Sequence, residues 1–163
     1  MDDPIRKQKT YTPLEAKRKA KSYCAYQERS QQEVRDKLYQ WGLHSKDVEN
    51  IISYLIENNF LNEERFAKAY VLGKFRIKGW GRIKIMQGLK LKQVSAPLIK
   101  IAMKEIDPND YFEKLRTIIE KKSALIKESD PYKHRNKLYQ YALGRGYENN
   151  LILEILKDNG LEG

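Results

Sequence analysis

Between residues 65 and 104 the chain has no aspartate and no glutamate, although it has 22 acidic residues in 163. Other things are scarce as well. A single cysteine, Cys24, excludes an internal disulfide framework, and one thiol cannot build a metal site. Such cysteine usage fits a reducing setting, so a cytoplasmic location is expected. The longest apolar runs are a few residues, too short for a membrane span or a signal-peptide core. There is no glycine-rich phosphate loop, no HExxH, no GxSxG and no paired cysteine pattern. Gly79-Trp80-Gly81 lacks the third glycine of a dinucleotide fingerprint and follows no strand pattern. The two histidines, His44 and His134, lie far apart in unlike contexts and read as a helix connection and a helix-surface or packing residue. Cys24, next to Tyr23 and Ala25, reads as a small buried hydrophobe. Enzyme chemistry and a cofactor are therefore not expected.

What is present is helical. Few stretches alternate with period two, and nearly everything reads as short amphipathic helices between Gly, Asn, Ser and Pro breaks. Thr12-Pro13-Leu14-Glu15 places an N-cap hydroxyl before proline and a glutamate at the third helical position, and Ser30-Gln31-Gln32-Glu33 is a second capping box. Ser45, Ser95, Asp107-Pro108 and Asp130-Pro131 mark further starts, while Gly42, Asn58-Asn59 and Gly144 mark stops. Apolar residues recur at helical spacing: Val34, Leu38 and Trp41; Val48, Ile51, Ile52 and Leu55; Phe66, Tyr70 and Ile77; Ile99, Ala102, Met103 and Ile106; Phe112, Leu115 and Ile119; Leu138 and Tyr141; Ile152, Ile155 and Leu156.

The pattern repeats. Shifting the sequence by 51 residues lays Ser30 on Gly81, Leu38 on Leu89, Leu43 on Val94, Val48 on Ile99 and Leu55 on Ile106. A shift of 100 lays KLYQWGL, from Lys37, on KLYQYAL, from Lys137. The expected fold is all-α: three tandem three-helix repeats over residues 12–61, 62–106 and 107–163, after a tail, residues 1–11, expected to be disordered. One such unit buries little surface alone. Stacked neighbours supply the missing core, which leads to an elongated, curved, solenoid-like molecule.

The charge is distributed unevenly over this repeated skeleton. Residues 1–29 carry eight basic and four acidic side chains, 30–64 three and seven, and 105–163 ten and eleven. Residues 65–104 carry eleven basic side chains and none of opposite sign. Repeats one and three are built without such an excess, so packing alone does not call for it, and like charges on a helix repel. A polyanionic partner accounts for it: nucleic-acid phosphate or an acidic protein surface. The candidate contact residues are Lys74, Arg76, Lys78, Arg82, Lys84, Lys90 and Lys92, with Trp80 between two glycines as a candidate stacking residue. Phe75 and Tyr70 sit at core spacing. A membrane surface fits less well, because the apolar faces are needed for packing.

The order of three motifs resembles the RecX family. Ser30-x-x-Glu33-Val34-x-x-Lys37-Leu38-x-x-x-Gly42 is similar to its first-repeat signature. Leu61-Asn62-Glu63-Glu64-Arg65-Phe66-Ala67, followed by Lys78-Gly79-x-Gly81-x-x-Lys84-Ile85, is similar to its second. Leu143-x-Arg145-Gly146-Tyr147 is similar to its third. The resemblance spans about residues 20–158. Glu63-Glu64 departs from the aspartate often found there, with capping kept. The resemblance implies a regulator that binds the RecA–single-stranded DNA filament and also DNA. Phosphate contacts carry little sequence information, so binding to single-stranded and also double-stranded DNA is expected to be largely non-specific. It implies that recombinase and coprotease activity in DNA repair are mostly inhibited. A monomer with no membrane association is expected. Two other readings fit the composition: a helical DNA-binding transcriptional regulator, and a helical adaptor for an acidic protein.

Overall fold

The computed structural model describes residues 10–158, and nine α-helices are found among them. The tail expected over residues 1–11 lies outside the described residues except for its last two. Of these, Tyr11 donates its N–H to the Trp41 carbonyl at 3.1 Å.

Helices α1 (Pro13–Tyr26), α2 (Gln31–Gln40) and α3 (Ser45–Glu57) form the first trio. The Thr12 and Ser30 hydroxyls accept the N–H groups of Glu15 and Glu33, as the capping boxes anticipate. Ser45 is the first residue of α3 rather than its cap; His44 holds the cap position without a side-chain bond. Further on come α4 (Glu63–Arg76), α5 (Arg82–Leu91) and α6 (Ala96–Met103), then α7 (Pro108–Leu125), α8 (Pro131–Gly144) and α9 (Asn149–Asp158). Asp107 and Asp130 cap α7 and α8 through their carboxylates, each followed by proline, whose missing N–H costs nothing there.

The stops follow one design. At Gly42, Asn59 and Gly146 the backbone turns left-handed, with φ of 86°, 62° and 94°. In each case the next residue's N–H returns to the carbonyl five residues back: Leu43 to Leu38, Phe60 to Leu55, Tyr147 to Ala142. Gln93, 51 residues after Gly42, takes the same left-handed turn with φ 59°. The internal repeat thus extends to the backbone torsion at the end of the second helix.

The chain divides into two compact units. One runs to Ala67 and takes in Lys92–Val94. Its core joins Ala16, Ala20 and Cys24 of α1 to Val34 and Leu38 of α2 and to Val48, Ile51, Ile52 and Leu55 of α3. The other unit takes Lys68–Leu91 and the described residues from Ser95 on. Val71, Phe75, Ile85, Leu89, Tyr111, Leu115, Leu138, Tyr147 and Ile155 are buried there. Of the expected core positions, Trp41, Tyr70, Met103, Phe112 and Tyr141 are only half-buried, and Ile77 leaves the core altogether. Ile77 is 83% exposed, because α4 ends at Arg76 and the chain leaves the helical register before it. Tyr111 rather than the adjacent Phe112 enters the core of α7, where its ring packs between Phe75 and Tyr147 at 5.9 and 5.1 Å.

Candidate nucleic-acid interface

The basic segment is held in shape by glycines and by its contacts with the third trio. After α4, Gly79 turns left-handed (φ 67°) and its carbonyl accepts the buried Tyr147 hydroxyl at 2.9 Å. Arg145 Nη2 donates to the Lys78 carbonyl. Gly81 N–H then donates to the Arg145 carbonyl at 2.7 Å and Ile83 N–H to the Gly146 carbonyl at 3.0 Å. A Cβ on Gly81 would overlap the backbone of Gly146 and Tyr147, so glycine is required by that close approach.

Trp80 projects from this anchored turn. It is half-buried, with Lys74 Nζ 4.8 Å from its ring centre and Lys84 Nζ 4.7 Å. Two ammonium groups from two different helices are therefore gathered on one indole, a placement favoured by the ring's negative faces. Arg76 and Lys78 follow Lys74 along the chain and are exposed. Among the described residues, no carboxylate pairs with Lys74, Arg76, Lys78, Lys84 or Lys90. Leu91 lies seven residues after Lys84, two turns along the same face of α5, and is 84% exposed. Lys90 is exposed but lies six residues from Lys84, roughly a third of a turn around the helix.

Two of the sequence candidates are committed elsewhere. Arg82 Nη1 donates to Glu148 Oε2 at 2.7 Å, and its guanidinium lies 3.9 Å from the Tyr111 ring centre. Its backbone N–H donates to the Tyr111 hydroxyl at 2.9 Å, and that hydroxyl in turn donates to Glu148. Burial, with the Glu148 acceptor next in size, holds the Tyr111 phenol well above its ordinary range. Lys92 Nζ pairs with Glu33 at 2.8 Å. Arg65 pairs with Glu28 at 2.5 Å and Lys68 with Glu105 at 3.6 Å. A segment without carboxylates thus receives four from outside itself. That contribution to packing was not expected, since a partner more than thirty residues away leaves no periodic trace in the sequence. Trp80, Lys74 and Lys84 come together; Arg82 and Lys92 do not join them.

No group of three or more His, Cys, Asp or Glu able to hold a metal is found among the described residues, and no described helix is long and apolar enough to cross a membrane.

Comparison with known proteins places this geometry in a family. Models of the first, second and third three-helix domains of RecX match residues 16–55, 62–103 and 109–156. The regulatory protein RecX of Vibrio campbellii is 35% identical over 143 residues, covering 86% of this chain and 89% of its own length. That of Clostridium perfringens strain 13 is 33% identical over 131 residues, covering 79% of this chain. The match spans only 61% of that longer relative. The crystal structure of RecX from Lactobacillus salivarius superposes with a TM-score of 0.81 at 25% identity, covering 92% of this chain and 97% of that one. With three domain matches in the order first, second, third and relatives a third identical over most of its length, the chain belongs to the RecX family of regulatory proteins.

Proposed function

We propose that this chain binds the filament formed by RecA on single-stranded DNA, and DNA itself, and restrains recombinase and coprotease activity without catalysing a reaction. The observation that carries the reading is the Lys74–Trp80–Lys84 cluster, set in a stretch of forty residues that has no acidic side chain. Clustered ammonium groups favour phosphate, and an unpaired base that stacks on the Trp80 indole takes the place of a lysine now over its ring. Exposed Ile77 and Leu91, on the same segment, suit a surface made of protein as well as phosphate. Phosphate contacts carry little sequence information, so DNA binding is largely non-specific. The partner filament is cytoplasmic, and so is the site of action.

The test is RecA ATPase on single-stranded DNA, with the chain added below one copy per RecA. The unaltered chain lowers the rate, and Lys74→Glu with Lys84→Glu loses the effect by at least about tenfold while helicity, read by circular dichroism, is kept. Undiminished inhibition by that variant moves the contact elsewhere. A footprint confined to one duplex sequence would favour a transcriptional regulator instead.

A further inference from the structure

The first trio carries a second aromatic and basic surface that the sequence candidates do not include. Arg18, Lys19, Tyr23 and Tyr26 of α1 line an open groove with Arg29 and Trp41, of about 500 Å³. No carboxylate lines it. Tyr26, the last residue of α1, is 83% exposed. Arg29 is fixed beside it: its Nε donates to the Tyr23 carbonyl at 3.0 Å, and its guanidinium lies 3.7 Å from the Tyr23 ring centre and 6.0 Å from that of Tyr26. Trp41 is half-buried and packs edge-on against Tyr11, ring centres 5.8 Å apart at 74°. The groove therefore offers a solvent-facing phenol, a half-buried indole and a guanidinium already oriented by a backbone bond.

From this we infer that the groove is a binding site for single-stranded nucleic acid, with a base stacked on Tyr26 and flanking phosphates on Arg18, Lys19 and Arg29. The charge is complementary to phosphate. Exposed aromatic faces next to cations are what unpaired bases use, and a duplex keeps its bases stacked inside and leaves such faces idle. An acidic peptide would use the cations and gain nothing specific from Tyr26. The inference does not depend on RecA as a partner.

The chain has two tryptophans, Trp41 and Trp80, one in each proposed surface, which separates the two readings. In the Trp80→Phe chain, emission comes from Trp41 alone. Titration with an oligothymidylate of about twenty nucleotides is expected to quench Trp41 saturably, and Tyr26→Ala with Arg18→Ala to weaken that quench about tenfold. In the Trp41→Phe chain, emission reports Trp80. Quenching there with none at Trp41 overturns the groove and leaves the Trp80 surface standing. Equal quenching of Trp41 by polyglutamate makes the groove a site for acidic polypeptide and overturns the nucleic-acid assignment. Should Trp80→Phe not fold, the same two groove substitutions in the chain with both tryptophans are read by the anisotropy of labelled oligothymidylate. An unchanged affinity overturns the proposal equally.

Discussion

Arg82 and Glu148 meet at 2.7 Å although 66 residues separate them, and the pair joins the first turn of α5 to the residue before α9. Both side chains are about a quarter to a third exposed, so the pair is screened less than a surface bridge but not dry. Tyr111 ties to both partners, through the Arg82 N–H and the Glu148 carboxylate. Truncating either partner removes the opposite charge from the other, leaving Glu148 only the Tyr111 hydroxyl and the Arg82 guanidinium only the Tyr111 ring. Glu148→Ala and Arg82→Ala are each expected to cost about 1–3 kcal/mol in urea unfolding. Their double-mutant cycle is expected to show coupling of about 1 kcal/mol or more. Additive losses would mean that the pair contributes nothing.

Gly81 and Gln93 are expected to respond in opposite directions to a change of side chain. Gly81→Ala drives a methyl into the Gly146 and Tyr147 backbone, which cannot yield without opening the α4–α5 turn. A loss of at least about 2 kcal/mol is expected in thermal or urea unfolding. Gln93 holds a left-handed torsion that glycine adopts freely and that Gly42 occupies in the first repeat. Gln93→Gly is expected to stabilise by about 1 kcal/mol, read as a raised Tm. A lowered Tm would show that the glutamine side chain stabilises the turn by more than its strain costs.

Much of the fold was legible because helices announce themselves locally. Thr12, Ser30, Asp107 and Asp130 cap through side-chain oxygens a few residues from the N–H groups they accept, and such signals survive in a single sequence. Period and caps also exposed the repeat. They failed where a neighbour decides. Ile77 keeps helical spacing from Phe66 and Tyr70, yet the glycine turn takes it into solvent. Tyr111 outcompetes Phe112 for the core because its hydroxyl finds Arg82 N–H and Glu148 there. At the candidate site, composition located the basic segment but could not divide it into committed and uncommitted cations. Lys84 and Arg82 look alike in sequence, and only the arrival of Glu148 separates them.

Cys24 is buried at 7% exposure, and burial pushes its thiol up to about 11. An ordinary unfolded thiol titrates near 8.5. Between these values the folded state holds a proton that the unfolded state has lost, so stability is fully present below about pH 8.5 and declines as pH rises towards 11. Cys24→Ala removes this contribution. Its unfolding free energy is therefore expected to fall less between pH 8 and pH 10 than that of the unaltered chain, whatever the offset caused by the smaller side chain. In the native protein at pH 8, reaction with an aromatic disulfide reagent is expected to be slow and to become fast in denaturant. Rapid native labelling would show that α1 opens.

Salt dependence tests the division between committed and uncommitted cations. If about five phosphates are neutralised on a single strand, log K falls with log salt at a slope of roughly −3.5. Lys74→Ala with Lys84→Ala removes two ammonium groups that have no carboxylate partner among the described residues, so the slope is expected to become shallower by about 1.4. Arg82→Ala deletes the same formal charge as one of these lysines, but from a guanidinium already spent on Glu148. It is expected to lower stability and leave the slope within experimental error of the unaltered chain. Equal shallowing per charge by all three residues would mean that phosphate displaces Glu148 on binding, and the anchored turn would then open when DNA arrives.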